Sequence, residues 1–150
     1  MYSGKIIEPP IRGLFFFVVL MKKLYGNIVT GAFVMRMNRF VIHAEIDGRI
    51  EICHMPNPGR MRELLFPGVK MYLVKSRNPL NRTAYRVIGV ERDGEVILLD
   101  TSKCNDVAHY LVSHHLIAGW EEYSVVQREV TMGNSRFDLL LGNEATGEVF

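Results

Sequence analysis

A chain of 150 residues, 48% hydrophobic and 23% charged, is long enough for one substantial core or two small domains. That balance excludes a disordered, fibrous or disulfide-stapled chain. The net charge of +2 hides an asymmetry: residues 22–92 hold thirteen Lys and Arg against five Asp and Glu, whereas residues 93–150 hold three against ten. The change of sign near Asp93 marks a candidate domain boundary, and the basic half is a candidate surface for a polyanion unless the acidic half neutralises it. The two cysteines, Cys53 and Cys104, form no CxxC pair. They point to a reduced, cytoplasmic chain with two small buried thiols.

Residues 1–20 read differently from the rest. Pro9-Pro10 lead into an apolar run, Leu14–Leu20, which falls short of the ~20 residues a membrane span needs. No small-x-small site follows it, as a signal peptide would require. Met21-Lys22-Lys23 has the look of a natural start, which makes residues 1–20 an upstream extension. A buried first strand is the alternative.

Strand signals follow in quick succession. Residues 28–35 are apolar and β-branched, and residues 39–46 alternate, with Phe40, Ile42 and Ala44 on one face. Asp47-Gly48 is a hairpin signal, and residues 49–54 alternate again. The stretch His54-Met55-Pro56-Asn57-Pro58-Gly59-Arg60-Met61-Arg62 is a kinked loop. Its prolines fix φ and push Met55 and Asn57 toward extended backbone, while Gly59 permits a tight turn. Arg60 and Arg62 are donors suited to phosphate or carboxylate. Residues 61–65 predict a short helix ended by Pro67-Gly68. Residues 69–75 and 83–91 predict a fourth and a fifth strand around a polar loop. Asp93-Gly94 then turns into residues 95–99.

Five strands with a short helix after the third is the order of a small Greek-key barrel of the OB type. Such barrels bind single-stranded nucleic acid through basic grooves and aromatic platforms. Arg36, Arg39, Arg60, Arg62, Lys75, Arg77, Arg82 and Arg86 supply charge here, and Phe40, Tyr72 and Tyr85 are the aromatics able to stack bases. Residues 102–118 switch to helical period, with Ser102 or Asn105 as cap and Gly119 as stop. Residues 123–130 and 136–141 predict two strands joined at Gly133-Asn134, and Val149-Phe150 opens a third.

His114-His115 suggest a metal, but adjacent helical residues point about 100° apart, and no carboxylate or cysteine stands at ligand spacing. One exposed and one half-buried histidine is the expectation. Asp138 differs, because its strand neighbours are apolar and an ionised carboxylate there needs a partner or a metal. Arg136, two residues earlier on the same face, is the structural partner. The alternative is a divalent-metal site, in which one Asp is half of what phosphodiester cleavage needs.

Several stretches in order resemble the sugar fermentation stimulation protein (SfsA) family over residues 21–150. They are Arg39-Phe40, Pro56-Asn57-x-Gly59-x-Met61, Asn78-Pro79 before Tyr85, and Asn105 after Asp100-Thr101. The most specific are Arg128-Glu129-Val130 and Gly133-x-Ser135-Arg136-Phe137-Asp138-Leu139-Leu140-Leu141. Pro58 and Arg60 depart from the small polar residues expected beside Asn57 and Gly59. The resemblance implies an α+β chain: a five-stranded OB-like barrel over residues 21–92, then an incomplete α/β domain like the PD-(D/E)XK restriction endonucleases over residues 93–150. It implies DNA binding of low sequence specificity, linked to regulation of sugar (maltose) metabolism genes. Arg39, Phe40, Asn57, Gly59, Arg60, Arg62, Arg77, Arg82, Tyr85 and Arg136 form the expected DNA-contacting set. In the nuclease pattern Asp138 matches a catalytic aspartate and Mg²⁺ ligand. The carboxylate-x-lysine partner would fall beyond Phe150, so this chain alone is expected to be inactive while a complete one is an Mg²⁺-dependent nuclease. A non-catalytic protein-interaction or regulatory module is the competing expectation.

Overall fold

The computed structural model describes residues 14–150, with side chains described from Phe17 onward. The described residues divide after Ser102 into two compact units. The first is a helix, α1 (Leu14–Tyr25), followed by strands β1 (Ile28–Asn38), β2 (Val41–Ile46), β3 (Arg49–His54), β4 (Lys70–Lys75), β5 (Tyr85–Arg92) and β6 (Glu95–Leu98). The second holds α2 (Cys104–Ser113) and a hairpin of β7 (Tyr123–Met132) and β8 (Ser135–Asn143).

The first five strands pair antiparallel in the order β3-β2-β1-β4-β5, and a short parallel pairing of β3 with β5, Cys53 beside Tyr85 and His54 beside Arg86, closes the ring. This is the expected five-stranded mixed barrel of OB type. Its interior is filled by Phe33, Ile42, Ala44, Ile46, Cys53, Met71, Leu73, Val87 and Val90, with Met55, Val69 and Leu99 completing the cluster. Gly31 is required where β1 passes β2, because a Cβ there would lie 2.7 Å from the Glu45 carbonyl. The Asp47-Gly48 and Asp93-Gly94 turns both take positive φ at both central residues, the geometry that matches the twist of a two-residue hairpin.

Four expectations are corrected. The apolar run before Met21 is neither a strand nor separate from the fold. Phe17, Leu20, Met21, Leu24 and Tyr25 recur at helical spacing, Leu20 and Met21 are buried, and Lys22 and Lys23 are exposed in the last turn, where their charge suits the helix dipole. The remainder of that expectation, residues 1–13, lies outside the described residues. The change of charge sign at Asp93 does not coincide with the division of the chain, because β6 pairs with the second half of β5 and so belongs to the barrel unit. Residues 61–65 form a single turn rather than a helix, with the Leu64 and Leu65 amides both donating to the Met61 carbonyl. Cys53 is buried, and burial pushes its thiol up to about 12, whereas Cys104 is exposed.

In the second unit the helix is shorter than its period suggested. It starts after a 3-10 turn, Thr101–Lys103, with no side-chain cap, and His115 at φ 53° ends it before Gly119 is reached. Both His114 and His115 are exposed. Gly133-Asn134 makes the β7–β8 turn as expected, and Val149 bridges Gly142 as the opening of a further strand.

One buried ionic cluster ties the barrel together. Asp100 is 1% exposed. Its carboxylate accepts from Arg86 at 2.7 and 2.8 Å, from the Tyr25 hydroxyl of α1 at 2.7 Å and from the Ser102 hydroxyl at 2.7 Å. Ser102 is thereby engaged here and does not cap α2. Burial alone would raise the Asp100 carboxyl, but the bonds from Arg86, Ser102 and Tyr25 outweigh it and hold it at about 2. Since the folded value lies below the ordinary one of about 4, the cluster's full contribution is present above about pH 4 and is lost as pH falls toward 2. The expected loss over that window is about 2 kcal/mol. Urea midpoints measured between these pH values should fall in the parent chain and fall less in Asp100→Asn.

Candidate nucleic-acid interface

The loop predicted to carry function, residues 54–62, opens the β3–β4 connection, residues 55–69, which is stitched to the barrel along its length. At its start the Met55 amide donates to the Phe40 carbonyl at 2.8 Å. At its end Gly68 and Val69 exchange bonds with Phe33 at 2.8 and 2.9 Å. Within it, Asn57 Oδ1 accepts from the Gly59 amide at 2.9 Å, an Asx turn that the flanking prolines favour. Met61, Leu64 and Leu65 pack against the core cluster. Met61 itself takes φ 46°, an uncommon value for a residue with a side chain, and it sits between Arg60 and Arg62.

Arg36, near the end of β1, holds the middle. Its Nε donates to the Asn38 carbonyl at 3.0 Å, and Nη1 donates to the carbonyls of Gly59 and Arg60. Its Nη2 donates to the carbonyls of Arg39 at 2.6 Å and Asn57 at 3.1 Å. A guanidinium has five N–H donors, and Arg36 directs all five at backbone oxygens, fastening the β1–β2 turn to the proline loop. Burial lowers its pKa somewhat, but a guanidinium stays charged. Arg36 was expected to supply charge to a ligand. Its hydrogen bonds are internal, and only its field reaches outward.

The turn and loop enclose a cleft of about 390 Å³ lined by Phe33, Arg36, Asn38, Arg39, Pro58, Arg60, Arg62 and Leu65. None of these is acidic. The guanidinium of Arg39 lies 5.4 Å from the centroid of the Phe40 ring, itself 43% exposed. The side chains of Arg60 and Arg62 make no hydrogen bond or ion pair among the described residues. The chain therefore presents three cations with unused donors on a fixed backbone, beside the half-buried charge of a fourth.

The other predicted residues fall elsewhere. Arg77 and Arg82 are exposed in the β4–β5 loop and do not line this cleft. Tyr85 is half-buried against the core. Tyr72, a candidate for base stacking, is 3% exposed, meets Phe17 of α1 edge-on at 5.7 Å and donates its hydroxyl to Glu91 at 2.9 Å. Gly89 leaves room for that contact, since a Cβ there would lie 2.9 Å from Phe17 Cζ. Arg86 is held by Asp100.

In the second unit, Arg136 pairs with Glu129 at 2.8 Å and not with Asp138, which is exposed on β8 without a hydrogen bond or ion pair among the described residues. Glu129 sits at φ 52° inside β7, at the position between the Arg128–Leu139 and Val130–Phe137 pairs, as Asp138 does on β8. The two residues thus occupy facing positions of the hairpin. Among the described residues no group of three or more His, Cys, Asp or Glu converges on one ion position.

Sequence reasoning missed Arg36 as the clamp and Asp100 as the buried anchor. Arg36 left one signal, an arginine inside the apolar run Phe33-Val34-Met35-Arg36-Met37. The signal for Asp100 was its position after Leu98-Leu99, two residues before Ser102.

A closed five-stranded barrel with this strand order defines an OB-type domain, and residues 34–99 match the family model of the SfsA N-terminal OB domain. The curated relatives include sugar fermentation stimulation protein homologues from Clostridium beijerinckii, 36% identical over 76% of this chain and 50% of the relative, and from Methanobrevibacter smithii, 38% identical over 79% and 49%. The solved structure of Pyrococcus furiosus SfsA in complex with Ca²⁺ is similar at a TM-score of 0.60 and 28% identity, over 79% of this chain and 51% of that one. The chain is similar to the sugar fermentation stimulation protein (SfsA) family, whose N-terminal OB domain it matches over residues 34–99. It spans about half the length of the relatives it matches.

Arg36→Lys keeps the charge but offers three donors on a flexible stem in place of five in a fixed plane. The substitution is expected to cost about 1–3 kcal/mol. It should also raise amide hydrogen exchange and proteolytic nicking in residues 57–60 ahead of the barrel strands. Exchange that rises equally in β2 and the loop would show that Arg36 does not act locally.

Proposed function

We propose that this chain binds DNA through the phosphate backbone with little sequence preference. The observation that carries the proposal is the cleft between the β1–β2 turn and the proline loop, lined by Arg39, Arg60 and Arg62, with Arg36 bonded to the carbonyls of Arg39 and Arg60 and no acidic residue in the lining. Guanidinium groups match phosphate oxygens in a fork geometry. The backbone that carries them is already fixed, so few loop residues need ordering on binding. Phe40 under Arg39 adds a surface on which a base can stack. Arg77 and Arg82 extend the contact as further cations, with Asn57 and Gly59 shaping the loop.

A second activity, Mg²⁺-dependent phosphodiester cleavage by a nuclease-like domain of which residues 103–150 are part, is supported by two observations. Asp138 is exposed and without a partner among the described residues, beside the strained Glu129, and the P. furiosus relative was solved with Ca²⁺. Two carboxylates fit a divalent ion in kind and fall short of it in number. On this reading Asp138 holds the metal, while Arg136 holds Glu129 in place.

Fluorescence anisotropy of the 150-residue chain with labelled DNA across a salt series tests the first reading. The logarithm of affinity should fall linearly with the logarithm of salt, with a slope of about −2 to −4 for three to four phosphate contacts. Arg60→Ala combined with Arg62→Ala should reduce the slope by about 2 and weaken binding about equally across sequences. Unchanged binding in that variant would rule the cleft out as the interface. Asp138→Asn should leave both affinity and slope as they were, and in a longer chain that cleaves DNA it should abolish cleavage. Cleavage that survives the change removes Asp138 as the ligand.

A further inference from the structure

A phosphate backbone can be held on an open ridge of arginines and needs no cavity. The cleft here is open too, but part of its lining is apolar: Pro58 is exposed, Leu65 half-buried and Phe33 5% exposed beside the arginines. Its volume is about 390 Å³. Asn38 adds directional chemistry to the same wall. Its Oδ1 accepts from the Phe40 amide at 2.9 Å, which fixes the side-chain amide, and its Nδ2 has no acceptor among the described residues. One cleft thus combines cations, an apolar part of the lining and an oriented amide donor.

Resting on the DNA-binding reading above, we infer that this cleft takes one unpaired nucleotide of a single strand. Its phosphate lies on Arg60 and Arg62, and its base lies against the wall of Phe33, Pro58 and Leu65, within reach of Asn38 Nδ2. Arg36 cannot be the phosphate ligand because its five donors are committed to backbone carbonyls. A base inside a duplex is stacked and paired, and removing it costs a few kcal/mol. The barrel therefore prefers single strands, gaps and frayed ends to closed duplex.

The test compares three labelled probes of equal phosphate count with the 150-residue chain by anisotropy at low salt: an oligothymidine, the same strand made abasic throughout, and a closed hairpin duplex. The oligothymidine should bind at least about tenfold tighter than the abasic strand, the effect of engaging one base. Pro58→Trp, which fills the cleft without changing charge, should bring that ratio near one, while Phe40→Ala, which removes only the ring beside the cleft, should lower it by less than half. Circular dichroism melting of both variants establishes that they are folded.

Equal affinity for thymidine and abasic strands in the parent chain overturns the inference and leaves backbone binding standing. A ratio that collapses in Phe40→Ala and persists in Pro58→Trp also overturns it, because stacking then occurs on the turn and not in the cleft. Failure to bind any of the three probes removes the DNA-binding reading and this inference with it.

Discussion

The site depends on one guanidinium. Arg36 leaves β1 and meets five backbone oxygens, two in the turn that follows it and three in a loop more than twenty residues further on. Backbone carbonyls in irregular segments are acceptors that need partners, and here a single side chain supplies them. Lysine has neither the donor number nor the planar spread for this, so the position calls for arginine. Loops that carry function are usually mobile. This one is fixed at both ends by backbone bonds, in the middle by Arg36, and from within by two prolines and an Asx turn.

A second anchor works at a different level of the same unit. Asp100 follows β6, yet it bonds α1 through Tyr25 and β5 through Arg86. The Asp100 carboxylate is buried, charged and fully bonded, the condition under which a buried carboxylate is tolerated. It joins three segments distant in sequence, and it explains why α1 belongs to the barrel although nothing in its own apolar run says so. With α1 in place, Phe17 covers Tyr72 and withdraws that ring from solvent. The aromatic content of this barrel is therefore a poor guide to its stacking surface, and Phe40 is the exposed ring beside the cleft.

The parts of the fold readable in the sequence were those set by local chemistry. Asp47-Gly48, Asp93-Gly94 and Gly133-Asn134 each announced a turn, because few residues adopt positive φ cheaply. Alternation located β2 and β3, and the rigidity of the proline loop followed from its residue types. The β6 strand was seen as a strand but assigned across a boundary, because charge reports on surfaces while pairing decides where a unit ends. The clamp could not be read. Every residue carries a carbonyl, so a bond from Arg36 to the oxygens of Asn57, Gly59 and Arg60 leaves no pattern in those residues' identities. Arg136 was likewise matched to the nearest carboxylate on its own strand, whereas the β7–β8 register brought Glu129 to it from across the hairpin.

The division of labour among the arginines follows from donor geometry. Hydrogen bonds are short-ranged and directional, so a donor used on a carbonyl cannot also be used on a phosphate. Charge is neither, and the field of Arg36 reaches the cleft while its N–H groups point inward. The same residue can thus build the backbone of the cleft and raise its potential, while the donors of Arg39, Arg60 and Arg62 stay unused among the described residues. A cleft assembled this way has its backbone in place before a ligand arrives. Arginine side-chain freedom is then the main ordering cost, about 0.5–1.5 kcal/mol for each side chain immobilised. With three such side chains, the cost is of the same order as the gain from stacking one base, about 1–3 kcal/mol. On the proposed reading, occupation of the apolar wall therefore decides whether the site merely follows a charged backbone or holds one nucleotide in place.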